Sequence, residues 1–353
     1  MQLKVTVVIL MTRLSDYMLN CFHAWRLSSG IDLHVVRRPV AVSESPYDFA
    51  EQLGGIAFYQ REAFDGDGLR AFLGRIKPDL IICFGWADQD YLAAVRSRTA
   101  GTVAVMTLDN QWLGTFRQRA GLVWSRLFLT RLFDYVWVPG PRQAHFARLL
   151  GFPKSNIRDG YYVANCKHFT SIRETIDGAP ARRLVFVGRY VALKGVRELW
   201  QGFIAHHARR ESSLELWCIG TGPLNARRPE HPKLRHLGFI QPRDFAEILK
   251  GGGIFILPSH FEPWGLAVHE FAIAGFPLIL SRAVGAADRF LGPDNGILLD
   301  AVTPEAISRA LEKIESLSNE QLAAMSRAST HRGMALDVSY WCSQADRFLE
   351  GSV

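Results

Sequence analysis

Residues 258–281 read PSHFEPWGLAVHEFAIAGFPLILS. The apolar run Ile254–Leu257 just before them has the length and composition of a short buried strand, and Leu266–Ala274 has helical spacing. Pro263–Gly265 is therefore a strand-to-helix turn, and Gly275 stops the helix before the next apolar run near residue 277. The same alternation of strand and helix continues along the chain, which predicts an α/β protein with parallel sheets and right-handed crossovers.

Two glutamates, Glu262 and Glu270, stand in this stretch with seven residues between them. On a single helix, eight steps of about 100° would leave them roughly 80° apart in azimuth and about 12 Å apart along the axis, serving separate sites. With Glu262 in the loop instead, the first amides of the helix, at Gly265, Leu266 and Ala267, form an anion site favoured by unpaired N–H groups and the helix dipole. A phosphate fits there. Glu270 lies about five residues further in, roughly 7.5 Å along the axis, within reach of the ribose of a nucleoside diphosphate whose distal phosphate sits at the helix start. Its carboxylate accepts bonds from vicinal hydroxyls. The competing reading makes both residues solvated acids near a helix end, with Glu262 merely complementing the dipole.

Upstream, residues 183–195 read RLVFVGRYVALKG. This is an apolar strand ending at Gly188, then Arg189, then Lys194 and Gly195 at the start of an amphipathic helix. Two cations thus leave the carboxyl end of a strand, where open α/β sheets bind ligands. Arg189 grips phosphate bidentately and Lys194 as a point charge. No Gly-Lys-Ser/Thr run is present, so this is not a Walker loop. Leu214–Ile219 followed by Gly220, Thr221, Gly222 and Pro223 is a further strand with a tight glycine loop, and Leu234–Leu237 precedes Gly238, Phe239 and Ile240, which can present backbone groups to a base.

The succession FVGRYVALKG, LWCIGTGPL, LGFIQP, IFILPSHFEPWGLAVHEFAIAGFPLI and VGAADRF resembles, in order and spacing, the donor-binding domain of retaining glycosyltransferases of family 4, which have the GT-B fold. The resemblance is strong over about residues 182–300 and weak over 100–170, where IRDGYYVANCKHF is similar to the family's domain-linking segment. It implies two Rossmann-like, doubly wound parallel-sheet domains facing a deep cleft that holds a UDP- or GDP-sugar. In that frame Arg189 and Lys194 neutralise the diphosphate, the amides of Gly265 to Ala267 bind it, Glu270 holds the ribose and Glu262 faces the sugar hydroxyls. Gly188, Gly220, Phe239 and Ile240 complete the nucleotide site. The implied reaction is retaining and metal-independent, with no cofactor, and moves a sugar to a hydroxyl of a glycan or lipid-linked acceptor in bacterial polysaccharide or glycoconjugate biosynthesis. The alternatives are a sugar-nucleotide epimerase or an inactive GT-B nucleotide-binding protein. A glycoside hydrolase would also pair carboxylates, but has no need of Arg189 and Lys194 at a strand end.

The implied division is an acceptor domain 1–165, a linker 166–181, a donor domain 182–335 and a terminal segment 336–353 whose helix crosses back onto the first domain. A length of 353 residues suits two domains, and a hydrophobic content of 48% suits two cores. In the first half, strands are expected at Leu3–Leu10, Leu33–Val36, Leu80–Phe84, Val103–Thr107 and Tyr135–Val138, with helices such as Gln89–Arg98 and Arg142–Leu150 between them. No run approaches the 18 to 20 apolar residues of a membrane span, and Met1–Leu10 lacks a signal-type cleavage region, so the expected location is the cytoplasm, with peripheral contact at the inner membrane face. The five cysteines are widely spaced and read as reduced core residues. Eleven histidines show no metal-ligand spacing.

The first half departs from the family. Met11-Thr12-Arg13-Leu14-Ser15-Asp16 after the first strand lacks the family's glycines, and VAVMTLDNQW places Asp109 or Asn110 where many relatives carry a histidine near the sugar. Asp109 either bonds a sugar hydroxyl or orients the acceptor, or else forms a turn or helix cap. Residues 113–133, LGTFRQRAGLVWSRLFLTRLF, carry Arg117, Arg119, Arg126 and Arg131 with no acid, interleaved with Phe116, Trp124, Leu127 and Phe128. Either these rings pack in the core beneath ordinary surface arginines, or the helix suits an anionic membrane surface and a lipid-linked acceptor. The first 160 residues hold 19 Lys+Arg against 14 Asp+Glu, +5 of the chain's +7. No nucleic-acid-binding motif accompanies that charge.

Overall fold

The computed structural model describes residues 4–38 and 54–350. The chain divides into two compact units, residues 1–163 together with 337–353, and residues 164–336.

The first unit carries a seven-stranded sheet. Its strands are β1 (Thr6–Met11), β2 (Asp32–Arg37), β3 (Ala57–Gln60), β4 (Leu80–Phe84), β5 (Val103–Thr107), β6 (Tyr135–Trp137) and β7 (Ile157–Arg158). They are ordered β3-β2-β1-β4-β5-β6-β7, and every pair is parallel. Strands covered on both faces read as continuous apolar runs, and β1 shows this most strongly, with Val7 to Met11 fully buried. The chain order reverses between β1 and β4, so the loops leaving these two strands diverge and leave a crevice at their carboxyl ends.

The terminal helix Val338–Asp346 belongs to this unit. Asp337 caps it by accepting from the Tyr340 amide at 2.8 Å. Trp341 is buried and donates its indole N–H to the Tyr161 carbonyl at 2.9 Å, while Trp25 donates to Asp346 at 2.7 Å. The rings of Trp25 and Trp137 lie 5.7 and 4.7 Å from that of Trp341. Large rings with satisfied N–H groups make this a strong anchor.

The second unit has six strands, β8 (Arg183–Val187), β9 (Glu215–Ile219), β10 (Leu234–Gly238), β11 (Ile254–Leu257), β12 (Leu278–Ser281) and β13 (Gly296–Leu299). Their order is β10-β9-β8-β11-β12-β13, again all parallel, with the reversal between β8 and β11.

Strands read from apolar runs fall where expected, with β1 shifted toward Met11; Leu3 and its neighbours at the start lie outside the described residues. The edge strands β3 and β7 carry no fully buried side chain and so leave no apolar run to read. The segment expected as a linker, 166–181, begins with the helix Cys166–Glu174, which is part of the second unit. Its Phe169 and Ile172 are buried, Phe169 lying 6.0 Å from the Phe271 ring. Gly178 and Pro180 lie only beyond it. Described cysteines are unbridged, four buried and Cys166 half-buried.

Candidate functional site

The segments leaving β8 and β11 form the switch point of the second sheet, where an open α/β sheet binds its ligand. After β8 come Gly188, exposed Arg189 and buried Tyr190, then the tight turn Ala192–Lys194, closed by Gly195 in the left-handed region at φ 64°. A Cβ on Gly195 would stand 1.9 Å from the carbonyl oxygen of Pro258. Glycine is thus what lets this turn lie against the segment after β11, and the His260 amide seals the contact by donating to the Leu193 carbonyl at 2.8 Å. The consequence is an ion pair between the Lys194 ammonium and Glu262. Their side chains are 25% and 13% exposed, so solvent screens the pair only in part. Sequence reading assigned the two residues to different partners and did not anticipate their contact.

Glu262 is fixed from its other side by the VGAADRF segment. It forms a parallel bridge with Val284, and its carbonyl accepts from the Gly285 amide at 3.0 Å. A Cβ on Gly285 would fall 2.0 Å from the Pro263 carbonyl oxygen, so close backbone approach explains that glycine. Gly265, at φ 92°, opens the helix Leu266–Ile273 without a side-chain cap, which leaves its first amides unclaimed by a capping group. Leu266, Ala267 and Glu270 are half-buried on this helix.

The ends of β9 and β10 are laced to the same loop. The Gly220 amide donates to the Gly238 carbonyl at 2.7 Å, and the Tyr190 amide to Thr221 at 2.8 Å. A Cβ on Gly220, whose φ is 138°, would meet the Gly188 carbonyl at 2.0 Å. Phe239 follows directly, 40% exposed, with Ile240 half-buried. The structure therefore gathers Gly188, Gly220 and the 238–240 segment on one set of strand ends, and Lys194, Glu262 and the helix start at Gly265 around the switch point.

His269, between Glu262 and Glu270 in sequence, is a core residue. It is fully buried and stacks on Phe290 with centroids 4.4 Å apart. Its Nδ1 accepts from the Ala164 amide at 3.2 Å, so Nε2 carries the proton and donates to the Gly333 carbonyl at 2.9 Å. Burial lowers its pKa to about 4. His206 of the His206-His207 pair contacts Glu315 at 2.9 Å. Among the described residues no group of three His, Cys, Asp or Glu side chains is placed to hold a metal ion.

Asp109 belongs to the first unit. The loops after β1, β4 and β5 enclose a cavity of about 870 Å³ at that sheet's switch point. Asp109 lines it, accepting from the Tyr162 hydroxyl at 3.0 Å, while its carbonyl accepts from Gln143 at 3.2 Å. Tyr17 packs edge-on against Tyr162 at 5.6 Å, and burial pushes its hydroxyl up to about 12, with the Asp109 charge adding to the shift. Trp86, Phe84, Arg13 and Arg117 also line the cavity. Sequence reading found Asp109 and missed Tyr17 and Tyr162; the Tyr-Tyr pair in DGYYVAN was visible, but nothing local showed which ring faces a cavity.

Residues 181–316 match the family of group 1 glycosyl transferases. Among curated proteins, the chain is 31% identical to a glycogen synthase of Thioalkalivibrio sulfidiphilus over 182 residues, 46% of this chain and 36% of that enzyme. It is 30% identical to the 2-deoxystreptamine N-acetyl-D-glucosaminyltransferase of Niallia circulans over 152 residues, 40% of this chain and 38% of that enzyme. The chain thus spans little more than a third of the length of these relatives, both of them glycosyltransferases. Among solved structures, Anabaena HepE in complex with UDP and glucose matches with a TM-score of 0.72 at 13% identity, over 98% of this chain and 100% of that one. The chain has the GT-B fold of two parallel-sheet α/β units.

Proposed function

We propose that the chain is a glycosyltransferase that moves a sugar from a nucleoside diphosphate sugar, with retention at the anomeric carbon, to a hydroxyl of a glycan or lipid-linked acceptor in bacterial polysaccharide or glycoconjugate biosynthesis. The observation that carries this is the convergence of the Lys194–Glu262 pair and the uncapped helix start at Gly265, with Arg189 on the same loop, inside the segment that matches the family.

In this reading Arg189, Lys194 and the amides of Gly265 to Ala267 hold the diphosphate, Glu270 holds the ribose, and backbone groups of Phe239 and Ile240 meet the base. Gly188 and Gly220 leave room for the phosphates. As the bond from the anomeric carbon to the phosphate oxygen breaks, its electron pair passes to that oxygen. The acceptor hydroxyl attacks from the face being vacated, and its proton goes to the departing phosphate oxygen. Preorganised cations and amides stabilise this growing charge more than the ground state, which converts binding into rate. They supply the countercharge, so the reaction proceeds without a metal ion. Glu262 bonds the sugar hydroxyls, and Asp109 in the first unit positions the acceptor.

The test is thermal stabilisation by UDP, GDP, ADP, CMP and dTDP. A ligand at 100 times its Kd adds about 2.7 kcal/mol to the folded state. UDP leads the panel because HepE was crystallised with it. One base-selective shift, followed by transfer with a retained anomer in excess chelator, is the expected result. A folded sample that responds to none of them refutes the reading, and isomerised donor would make the protein an epimerase instead.

A further inference from the structure

The helix Phe116–Leu127 of the first unit turns its apolar side outward. At about 100° per residue, Ala120, Val123 and Leu127 fall within roughly 40° of Phe116, while Ser125 lies opposite. Ser125 is the fully buried one, donating its hydroxyl to the Leu150 carbonyl at 2.9 Å. The apolar row faces solvent instead, with Phe116 87%, Val123 65% and Leu127 51% exposed. Leu113, Trp124 and Phe128 extend it, so six of the eleven exposed large hydrophobic residues among the described residues lie in this one segment. Of the two readings the sequence left open for these rings, packing in the core is therefore the one that fails. A surface helix of a globular protein points its apolar stripe at the core; a contiguous apolar face toward solvent marks an interaction surface.

Charge identifies the occupant. Arg119 and Arg126 flank the apolar row on one side, Arg117 lies beside Trp124 on the other, and Arg131 follows; all four are exposed, and residues 110–133 contain no acid. A second copy of the chain would set these arginines against their own kind, a costly juxtaposition. Nucleic acid would match the arginines and leave Phe116, Val123 and Leu127 in water. An anionic bilayer takes both, the apolar row at the acyl boundary, the arginines at the phosphates, and Trp124 with Phe128, whose rings stack at 5.8 Å, at headgroup level.

We propose that this face docks the first unit on an anionic lipid surface. The same helix contributes Arg117 from its flank, and Gln118 and Gly121 from its inner side, to the wall of the 870 Å³ cavity, so docking brings that wall to the headgroup layer. Resting on the transferase reading, this makes the acceptor a lipid whose head group enters the cavity from the bilayer surface.

The test is co-sedimentation of the full chain with vesicles of phosphatidylcholine alone and with phosphatidylglycerol added at about 40 mol%. Binding to the anionic vesicles alone, weakened by salt, is expected. Phe116→Ser with Leu127→Ser should abolish it, and Arg119→Glu with Arg126→Glu should weaken it by at least about fivefold per arginine. All four side chains are exposed, and unchanged circular dichroism melts confirm that the variants fold. Failure of the wild type to bind anionic vesicles, binding that survives both pairs of substitutions, or self-association or nucleic-acid binding lost with the same substitutions while vesicles are ignored, would each overturn the proposal. Because the assay contains no nucleotide, its failure is distinct from failure of the nucleotide panel.

Discussion

Lowering the pH from 7.5 to 5 should destabilise the second unit through His269 alone by about 2 kcal/mol, working from an unfolded pKa of 6.5 and a folded value of about 4. The sign follows from proton uptake. Between these two values the unfolded chain binds a proton that the folded chain refuses, so stability falls as pH falls and the loss levels off only below the folded value. The refusal has a local cause. The proton would have to enter at Nδ1, which accepts from the Ala164 amide, in a site stacked on Phe290 and closed to solvent. Carboxylates with depressed values, such as Asp88 and Asp294, lose their contribution only lower, as pH falls below the ordinary carboxylate range. The weaker downward shifts of His231 and His236 act in the same direction as His269, so a variant is needed to isolate it. Urea titrations at both pH values, read by pulsed hydrogen exchange and mass spectrometry of the peptide covering residues 266–273, report this unit without averaging over the other. His269→Gln should be less stable at pH 7.5, having lost the stacked ring, yet show about 2 kcal/mol less pH dependence. An equal pH loss in wild type and variant would refute the assignment.

Lys194→Ala should lower kcat/KM by on the order of 10²-fold in a chain that still folds cooperatively but melts lower because Glu262 loses its partner, and near wild-type turnover would remove the phosphate role. Glu262→Gln should tighten the nucleoside diphosphate several-fold by freeing Lys194, while reducing turnover; calorimetry showing unchanged or weaker binding would mean that the ion pair does not compete with phosphate. Gly220→Ala sets a Cβ 2.0 Å from the Gly188 carbonyl at a φ of 138° and should abolish nucleotide stabilisation, with a loss of more than about 1 kcal/mol in the second unit. Unaltered melting and binding would contradict that packing. Asp109→Asn should raise the acceptor KM and leave nucleotide stabilisation unchanged; a weakened nucleotide response would move Asp109 out of the acceptor role.

How much of this was legible depended on whether the cause was local. The strand-turn-helix reading of 254–275 needed only apolar spacing and a glycine, and the structure places the strand at Ile254–Leu257 and the helix at Leu266–Ile273. The pairing of Lys194 with Glu262 was not legible, because it depends on two glycines, Gly195 and Gly285, permitting backbone approach between segments far apart in sequence. The outward face of the 116–127 helix was half legible. Spacing revealed an apolar row and an opposite side, but only the fold shows that Ser125 is the side facing inward. Tyr17 and Tyr162 needed the folded unit, since Tyr17 follows β1 and Tyr162 follows β7, and only the ranked strands bring both to the cavity that Asp109 lines after β5.

The Lys194–Glu262 pair also bears on how the cations of the second unit would meet phosphate on the proposed reading. A half-shielded ammonium and carboxylate held together cost less than either held alone, since removing one partner leaves the other's charge poorly solvated. Pairing Lys194 with Glu262 thus ties the segment after β8 to the segment after β11, with the dipole of the 266–273 helix directed at the same place. On the proposed reading a diphosphate would displace the single carboxylate, because it presents more negative charge and several acceptor oxygens to the ammonium and the first helical amides together. On the same reading Glu262, still pinned through its backbone to Val284 and Gly285, would turn its acceptor oxygens from Lys194 to the sugar hydroxyls. On the proposed transferase reading, one exchange of partners would give both residues their roles, the cation to the leaving group and the carboxylate to the sugar.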